Sequence, residues 1–390
     1  MRLLFAIGAF GSVTFVLALL HVPLVAAMAI ALVVAVISAF MEYRLQPVRP
    51  SDAGTPHVIA AIPIVIVAIN IAIVPLHDFD GRAFWLLKAK AIAHERSIDG
   101  PFFHGRVMGA PRNQYPLMMP IDAAALMIAN GSDDDRHVRW LYLGIFAALV
   151  WVVARYVDPW CAAILAWLPQ FAVATEGGAL SAYSDIAIAA FVTCAFLEMI
   201  DGDSPMRFGC WLAFLVLTKN EGLPVALILF AIGLTSFRKR WARMIVPLAL
   251  AIAALFAWRA QIPKTDEEDY IALLPSLPSH LRRLVPALLQ FARHAFTFST
   301  WGVFWIAAAI ALVILAWRSE WRAPAIVVAM CAVYIAAFMV TKWKLDELID
   351  VSADRLLMHM AGPALFAIAR VTGGFARNRY SPREHRPKAA

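Results

Sequence analysis

Residues 58–82 read VIAAIPIVIVAINIAIVPLHDFDGR, with no ionisable side chain from Val58 to Leu76 and then one histidine and two aspartates in quick succession. At about 1.5 Å rise per residue, the apolar run is long enough to cross ~30 Å of hydrocarbon as a helix. Bilayer packing does not explain the polar residues at its end. His77-Asp78-Phe79-Asp80-Gly81-Arg82 opens the first long polar loop, and Trp85, Lys88 and Lys90 come directly behind it.

The rest of the chain has the same texture. Of its 390 residues, 62% are hydrophobic and only 16% charged, and the mean hydropathy is +0.72. A soluble domain runs near half apolar and a quarter charged, so the composition belongs to a polytopic membrane protein. The net charge of +7 is concentrated at Arg238-Lys239-Arg240 with Arg243, at Arg318 with Arg322, and in a tail from Arg370 to Lys388. Short basic loops between apolar runs are the positive-inside signal, not a nucleic-acid surface. Cys161, Cys194, Cys210 and Cys331 have unrelated spacings and form neither a disulfide framework nor a zinc pattern. The first apolar run resembles a signal peptide, but a second comes almost at once, so both are expected to be retained helices.

Hydropathy marks candidate helices at 3–20, 22–40, 58–76, 116–130, 140–157, 160–176, 183–200, 206–219, 222–237, 244–260, 297–317, 322–340 and 353–371. The basic loops and tail are expected on the cytoplasmic side, which leaves the loops 77–115, 261–296 and 342–352 external. An odd number of crossings conflicts with termini that are both inside. One segment should therefore be re-entrant or interfacial, and 116–130, with Pro116, Pro120 and Asp122, is the expected exception. The expectation is an all-α polytopic integral membrane protein with about twelve transmembrane helices. Residues 1–56 form two N-terminal helices and a cytoplasmic loop, 57–371 the main domain, and 372–390 a basic cytoplasmic tail.

Gly81 to His94 reads as an aromatic, cationic helix in the headgroup layer. The 261–296 loop starts acidic at Asp266, Glu267, Glu268 and Asp269 and becomes a basic amphipathic stretch, which either caps a site or rests on the interface. In extended backbone, Asp78 and Asp80 would face one way and could share a divalent metal ion or hold a substrate proton; solvated acids at a helix end are the simpler alternative. Asp185 begins an apolar run, where an ionisable group needs water or a partner, or complements a helix N-terminus. Lys219-Asn220-Glu221-Gly222 breaks two apolar runs as a turn carrying an ion pair or a substrate contact. Arg355, with His359 about one turn later, suits a phosphate or snorkels beside Asp354, and Arg112 with Tyr115 offers a second cationic wall. No Gly-rich phosphate loop or Ser/His/Asp order is present.

Several short motifs occur in order. They are Asp80 with Phe84-Trp85-Leu86-Leu87-Lys88-Ala89-Lys90, Tyr115-Pro116-Leu117-Met118-Met119-Pro120, Ala182-Tyr183-Ser184-Asp185, Thr218-Lys219-Asn220-Glu221-Gly222, and the stretch Ser352 to Leu357. Together they resemble the GT-C superfamily of membrane glycosyltransferases. The resemblance is strongest to the bacterial polyprenyl-phosphate-sugar-dependent branch of protein O-mannosyltransferases and lipid A aminoarabinose and galacturonic acid transferases. The chain departs from that pattern in lacking a His-Pro before Tyr115 and in its two N-terminal helices.

The resemblance implies transfer of a sugar, with inversion, from a polyprenyl-phosphate carrier to a hydroxyl acceptor on a lipid, glycan or protein. The reaction would take place at the outer face of a bacterial inner membrane. Asp80 would be the general base, and Arg355 and Lys219, with Lys88 or Lys90 behind them, would meet the leaving phosphate. Asp185, Glu221, Arg112, Tyr115 and His359 would line the substrate site, Asp78 would tune Asp80 or share a divalent ion, and no nucleotide or organic cofactor is implied. A transporter or lipid flippase is the alternative reading of the same polar residues, and a non-catalytic scaffold that binds carrier lipid is a third.

Overall fold

The computed structural model describes residues 1–40, 54–105, 112–174, 176–263, 268 and 270–373, and among them the chain forms helices and turns without a β-strand. Most of the basic tail, the linker 41–53, and Asp266, Glu267 and Asp269 lie outside the described residues.

The chain opens with a hairpin of α1 (Arg2–Leu19) and α2 (Leu24–Ala39). The quoted apolar run is α3 (Gly54–Ile73), which stops two residues before Pro75 because the residue ahead of a proline is pushed out of helical geometry. A π-helical turn, Gly81–Leu86, then runs into α4 (Leu87–Glu95), followed by the single turn α5 (Pro101–His104). Next come α6 (Met118–Asn130), α7 (Asp135–Tyr156), α8 (Pro159–Trp167) and α9 (Pro169–Ala172). The central part comprises α10 (Asp185–Asp201), α11 (Pro205–Thr218), α12 (Gly222–Gly233) and α13 (Ala242–Gln261). After it lie α14 (Tyr270–Leu273), a 3-10 helix Leu274–Arg283, α15 (Leu284–Ala295) and α16 (Phe298–Trp301). The bundle closes with α17 (Phe304–Trp317), α18 (Arg322–Val340) and α19 (Leu345–Thr372).

Helix α10 is the axis of the bundle. It is buried on every face from Asp185 to Met199 and packs on α7, α11 and α19. The outer helices do the reverse, with Val58, Ile62, Ile66 and Ile69 of α3 and Ile306, Ile310 and Val313 of α17 left exposed. Long apolar helices with bare apolar outer faces have hydrocarbon as their solvent. Among the described residues, five helices, α1, α3, α7, α13 and α18, are long and apolar enough to cross a membrane.

Three expected helices differ from those observed. The segment 160–176 is broken between α8 and α9, because Pro169 supplies no amide to the turn before it and Leu168 stays extended. The segment 297–317 is interrupted at Gly302, whose φ is +55°. The last helix starts at Leu345, eight residues before 353, with Asp346 and Glu347 complementing its N-terminal dipole. The short helix expected at 116–130 is present as α6, whose 13 residues span only about 20 Å.

Candidate active site

The cleft that gathers the sequence motifs is assembled from four directions. The π-helical turn and α4 supply Phe84, Trp85 and Lys88, with Asp80 just ahead of them. The loop before α6 supplies Arg112 and Tyr115, the α11–α12 junction Lys219, and α19 Arg355. Six of the sequence-predicted residues, Asp80, Lys88, Arg112, Tyr115, Lys219 and Arg355, thus line one space. That space is nearly closed, at about 10 Å³, which is room for roughly one water.

Local backbone explains how Asp80 is aimed. Arg139 of α7 is buried and donates to the carbonyls of Val74 and Leu180 and to Asn70 Oδ1, while the amide of Leu76 donates to Asp135 Oδ2. These bonds clamp the end of α3 against the loop before α10. Gly81 then passes so close to the carbonyl of Ser181 that a Cβ there would overlap it. Asp80 itself is helical, with φ −66° and ψ −37°, so the extended backbone that would turn Asp78 and Asp80 the same way is not present. Side chains two apart on a helical turn do not share a face. Asp80 accordingly faces Arg355, whereas the charged neighbours of Asp78 are Glu176, Arg139 and His77. Burial raises the Asp78 carboxyl from 3.8 to about 6, and Glu176 adds to the rise. Among the described residues, no three His, Cys, Asp or Glu side chains gather as a metal site.

Arg355 is the hinge of the cleft's charge. Its Nη1 is 3.5 Å from Asp80 Oδ2, and its guanidinium carbon lies 5.2 Å from the centre of the Tyr183 ring. Gly177, at φ +87°, leaves room for its stem, since a Cβ there would sit 2.8 Å from Arg355 Cγ. Its Nε is buried without a hydrogen-bond partner among the described residues. A buried, charged donor left open in this way suits an incoming anionic oxygen.

Behind Arg355 runs a buried chain of polar groups. Tyr334 Oη is 2.8 Å from His359 Nδ1, His359 Nε2 is 3.1 Å from Asp185 Oδ1, and Lys219 Nζ is 3.0 Å from the same oxygen. Asp185 and His359 are fully buried and are not among the residues lining the cleft; Asp185 meets Lys219, and His359 meets Asp185 and Tyr334. Glu221 stands 3.1 Å from Lys219 Nζ and closes the outer side of that ion pair.

On the opposite wall Lys88 is buried, donates to the carbonyl of Arg112 at 2.7 Å, and lies over the Trp85 and Tyr115 rings. Arg112, at φ +48°, lies over Phe84 and Tyr115. Lys90 points elsewhere and pairs with Asp133 at 3.4 Å. The helix from Gly81 to Glu95 does not lie free at a surface: Trp85, Lys88, Ala89 and Ile92 are buried and α4 packs on α6. None of the described residues of the 261–296 loop lines the cleft. The loop's α15 packs on α18 and α19 and leaves Val285, Leu288 and Leu289 exposed, as the preceding 3-10 helix leaves Leu281.

Arg139 and Tyr334 are the residues the sequence did not single out. Arg139 has one local signal, a second arginine entering an apolar helix three residues after Arg136. Tyr334 has none within the apolar α18.

Fold and cleft together define an all-α protein with apolar helices of membrane length and a cationic, aromatic cleft around one carboxylate. No protein family, no curated protein and no solved structure matches this chain.

Proposed function

We propose that the chain is a GT-C type membrane glycosyltransferase with about twelve crossings. In this reading it transfers a sugar from a polyprenyl-phosphate carrier to a hydroxyl acceptor, with the cleft on the outer side of a bacterial inner membrane. The observation that carries the reading is the Asp80–Arg355 pair: a partly open carboxylate held by an arginine that has a spare buried donor. Transfer to a hydroxyl from a phosphate-linked sugar needs both, a base for the proton and a cation for the departing phosphate.

In this reaction the acceptor oxygen bonds to the anomeric carbon as the bond from that carbon to the phosphate oxygen breaks. The electron pair leaves with the polyprenyl phosphate and the hydroxyl proton passes to Asp80. Attack from the face opposite the leaving group inverts the sugar. Arg355 and Lys219 stabilise the phosphate charge, with Lys88 and Arg112 closing the cationic wall. At 3.5 Å the Arg355–Asp80 contact is loose, so an arriving phosphate competes with Asp80 for the guanidinium and frees the carboxylate. Asp80 suffices as the acid–base group, and the proposal routes no step through Asp78.

The direct test compares surface glycans of cells carrying wild type, no protein, or Asp80→Asn at equal protein level. Loss of one glycan species in the latter two supports the reading and identifies sugar and acceptor together. A wild-type glycan profile in the Asp80→Asn cells contradicts it.

A further inference from the structure

Helix α10 begins at Asp185 beside the cleft and ends at Asp201, roughly 25 Å away along its axis at 1.5 Å per residue. At that far end lies a second cavity of about 350 Å³, lined by Asp203, Ser204, Pro205, Met206, Arg207, Arg240 and Arg243. Its floor is fixed. Arg207 is buried and donates from Nη2 to Glu198 at 2.9 Å and to Asp203 at 3.2 Å, and Ser204 Oγ accepts the amide of Arg207. Gly209 brings α11 against α13, since a Cβ there would meet the carbonyl of Met244 at 2.5 Å. That approach holds Arg243 over the start of α11.

Arg240 and Arg243 differ from Arg207. Both are exposed, and neither has a carboxylate partner among the described residues. Arg207 is taken up by Glu198 and Asp203, which leaves Arg240 and Arg243 as the cations of the lining that can meet phosphate oxygens. The surroundings are apolar on one side. Trp241 is 48% exposed and Met206 44% exposed beside the cavity, and Val246 and Leu250 continue below Arg243 on the same face of α13, 53% and 63% exposed. Positions 243, 246 and 250 keep to the helical repeat, so a molecule seated on Arg243 finds an apolar strip directly beneath its head.

We infer that this cavity binds the phosphodiester headgroup of an anionic phospholipid, with its acyl chains lying on Val246 and Leu250. Arg240 and Arg243 take the phosphate oxygens, and Trp241 sits at headgroup depth as interfacial tryptophans do. A zwitterionic choline lipid carries the same diester, but it also brings a cation to a lining that is already positive. The site stands on its own residues and is independent of the chemistry proposed at Asp80.

The test is native mass spectrometry of the full chain in mild detergent, titrated with dioleoyl-phosphatidylglycerol or dioleoyl-phosphatidylcholine. Wild type is expected to prefer the glycerol lipid by roughly tenfold or more, the effect two surface arginines exert on an anionic lipid. R240Q/R243Q is expected to lose that preference. R155Q/R318Q, which removes equal charge from exposed arginines at the same end of the bundle, is expected to keep it. The inference is overturned by equal binding of both lipids to wild type, by an unchanged preference in R240Q/R243Q, or by an equal loss in R155Q/R318Q. Displacement of the lipid by millimolar inorganic phosphate would also overturn it, in favour of a soluble anion.

Discussion

Arg355 and Asp80 come from opposite ends of the chain and meet at 3.5 Å, with Tyr183 stacked behind the guanidinium. The pair couples the end of α3 to α19 and sets the charge of the cleft. If Arg355 meets the phosphate charge that develops on transfer, Arg355→Ala lowers turnover by about 10²–10³-fold, the usual loss for one such group. Arg355→Lys recovers only part, because an ammonium cannot form two parallel bonds to one phosphate. Steady-state transfer by the two variants at matched protein level measures the difference.

Gly81→Ala should unseat Asp80 without touching its chemistry. The new methyl overlaps the carbonyl of Ser181, a backbone atom that cannot turn aside. The expected destabilisation is about 1–3 kcal/mol, typical of overpacking, read as a lower unfolding midpoint together with reduced transfer.

Tyr334→Phe removes the hydroxyl that meets His359 Nδ1 and leaves a ring nitrogen unpaired in a buried site. A loss of about 1–3 kcal/mol in stability is expected. Because His359 holds Asp185 and Asp185 holds Lys219, donor binding should weaken as well. Unchanged donor affinity with lowered stability would make the chain of polar groups purely structural.

Asp78 predicts a pH effect of defined sign. Its carboxyl is raised to about 6, so the folded state binds the proton more tightly than the unfolded one. The stabilisation is complete below about pH 4 and is lost as pH rises through about 6. Asp78→Asn should flatten that decline in thermal midpoint, and a parallel decline in both proteins would rule Asp78 out as its cause.

His294 gives a second pH window through a different contact. Its ring nitrogens lie 3.1 Å from Asp354 and 3.1 Å from Asp350, and the Asp354 bond is the main cause of its raised pKa. A histidine raised in the folded state stabilises below its unfolded value near 6.5 and loses that stabilisation as pH passes through the higher folded value. Hydrogen exchange of α15 should therefore quicken above neutral pH in wild type and be less pH-dependent in His294→Gln.

Particular residues mark what could be read from the chain alone. The helices are legible because unbroken apolar runs such as 58–76 leave few alternatives; Pro169 and Gly302 break two of them, and the last begins at Leu345 because its polar first turns carry no hydropathy signal. Asp80, Lys88, Arg112, Tyr115, Lys219 and Arg355 were legible because each is polar at the edge of an apolar run. The conformation of Asp80 was not, since the helical turn that separates it from Asp78 begins only where Gly81 meets Ser181, a hundred residues on. The resemblance places His359, about one turn after Arg355, in the substrate site, but the residue is buried against Tyr334 and Asp185. Its burial against Tyr334 depends on how α18 packs on α19, which no local pattern encodes. Lys90 shared a motif with Lys88, but two residues along a helix turned it toward Asp133.

The central claim is that the Asp80 carboxylate accepts the acceptor's proton. The most direct measurement is transfer of sugar from a polyprenyl-phosphate donor by purified Asp80→Asn in liposomes, beside wild type with the same unfolding midpoint. The account predicts a fall of about 10²–10⁴-fold, the usual contribution of a general base, with donor binding retained. Transfer by Asp80→Asn at the wild-type rate would contradict it.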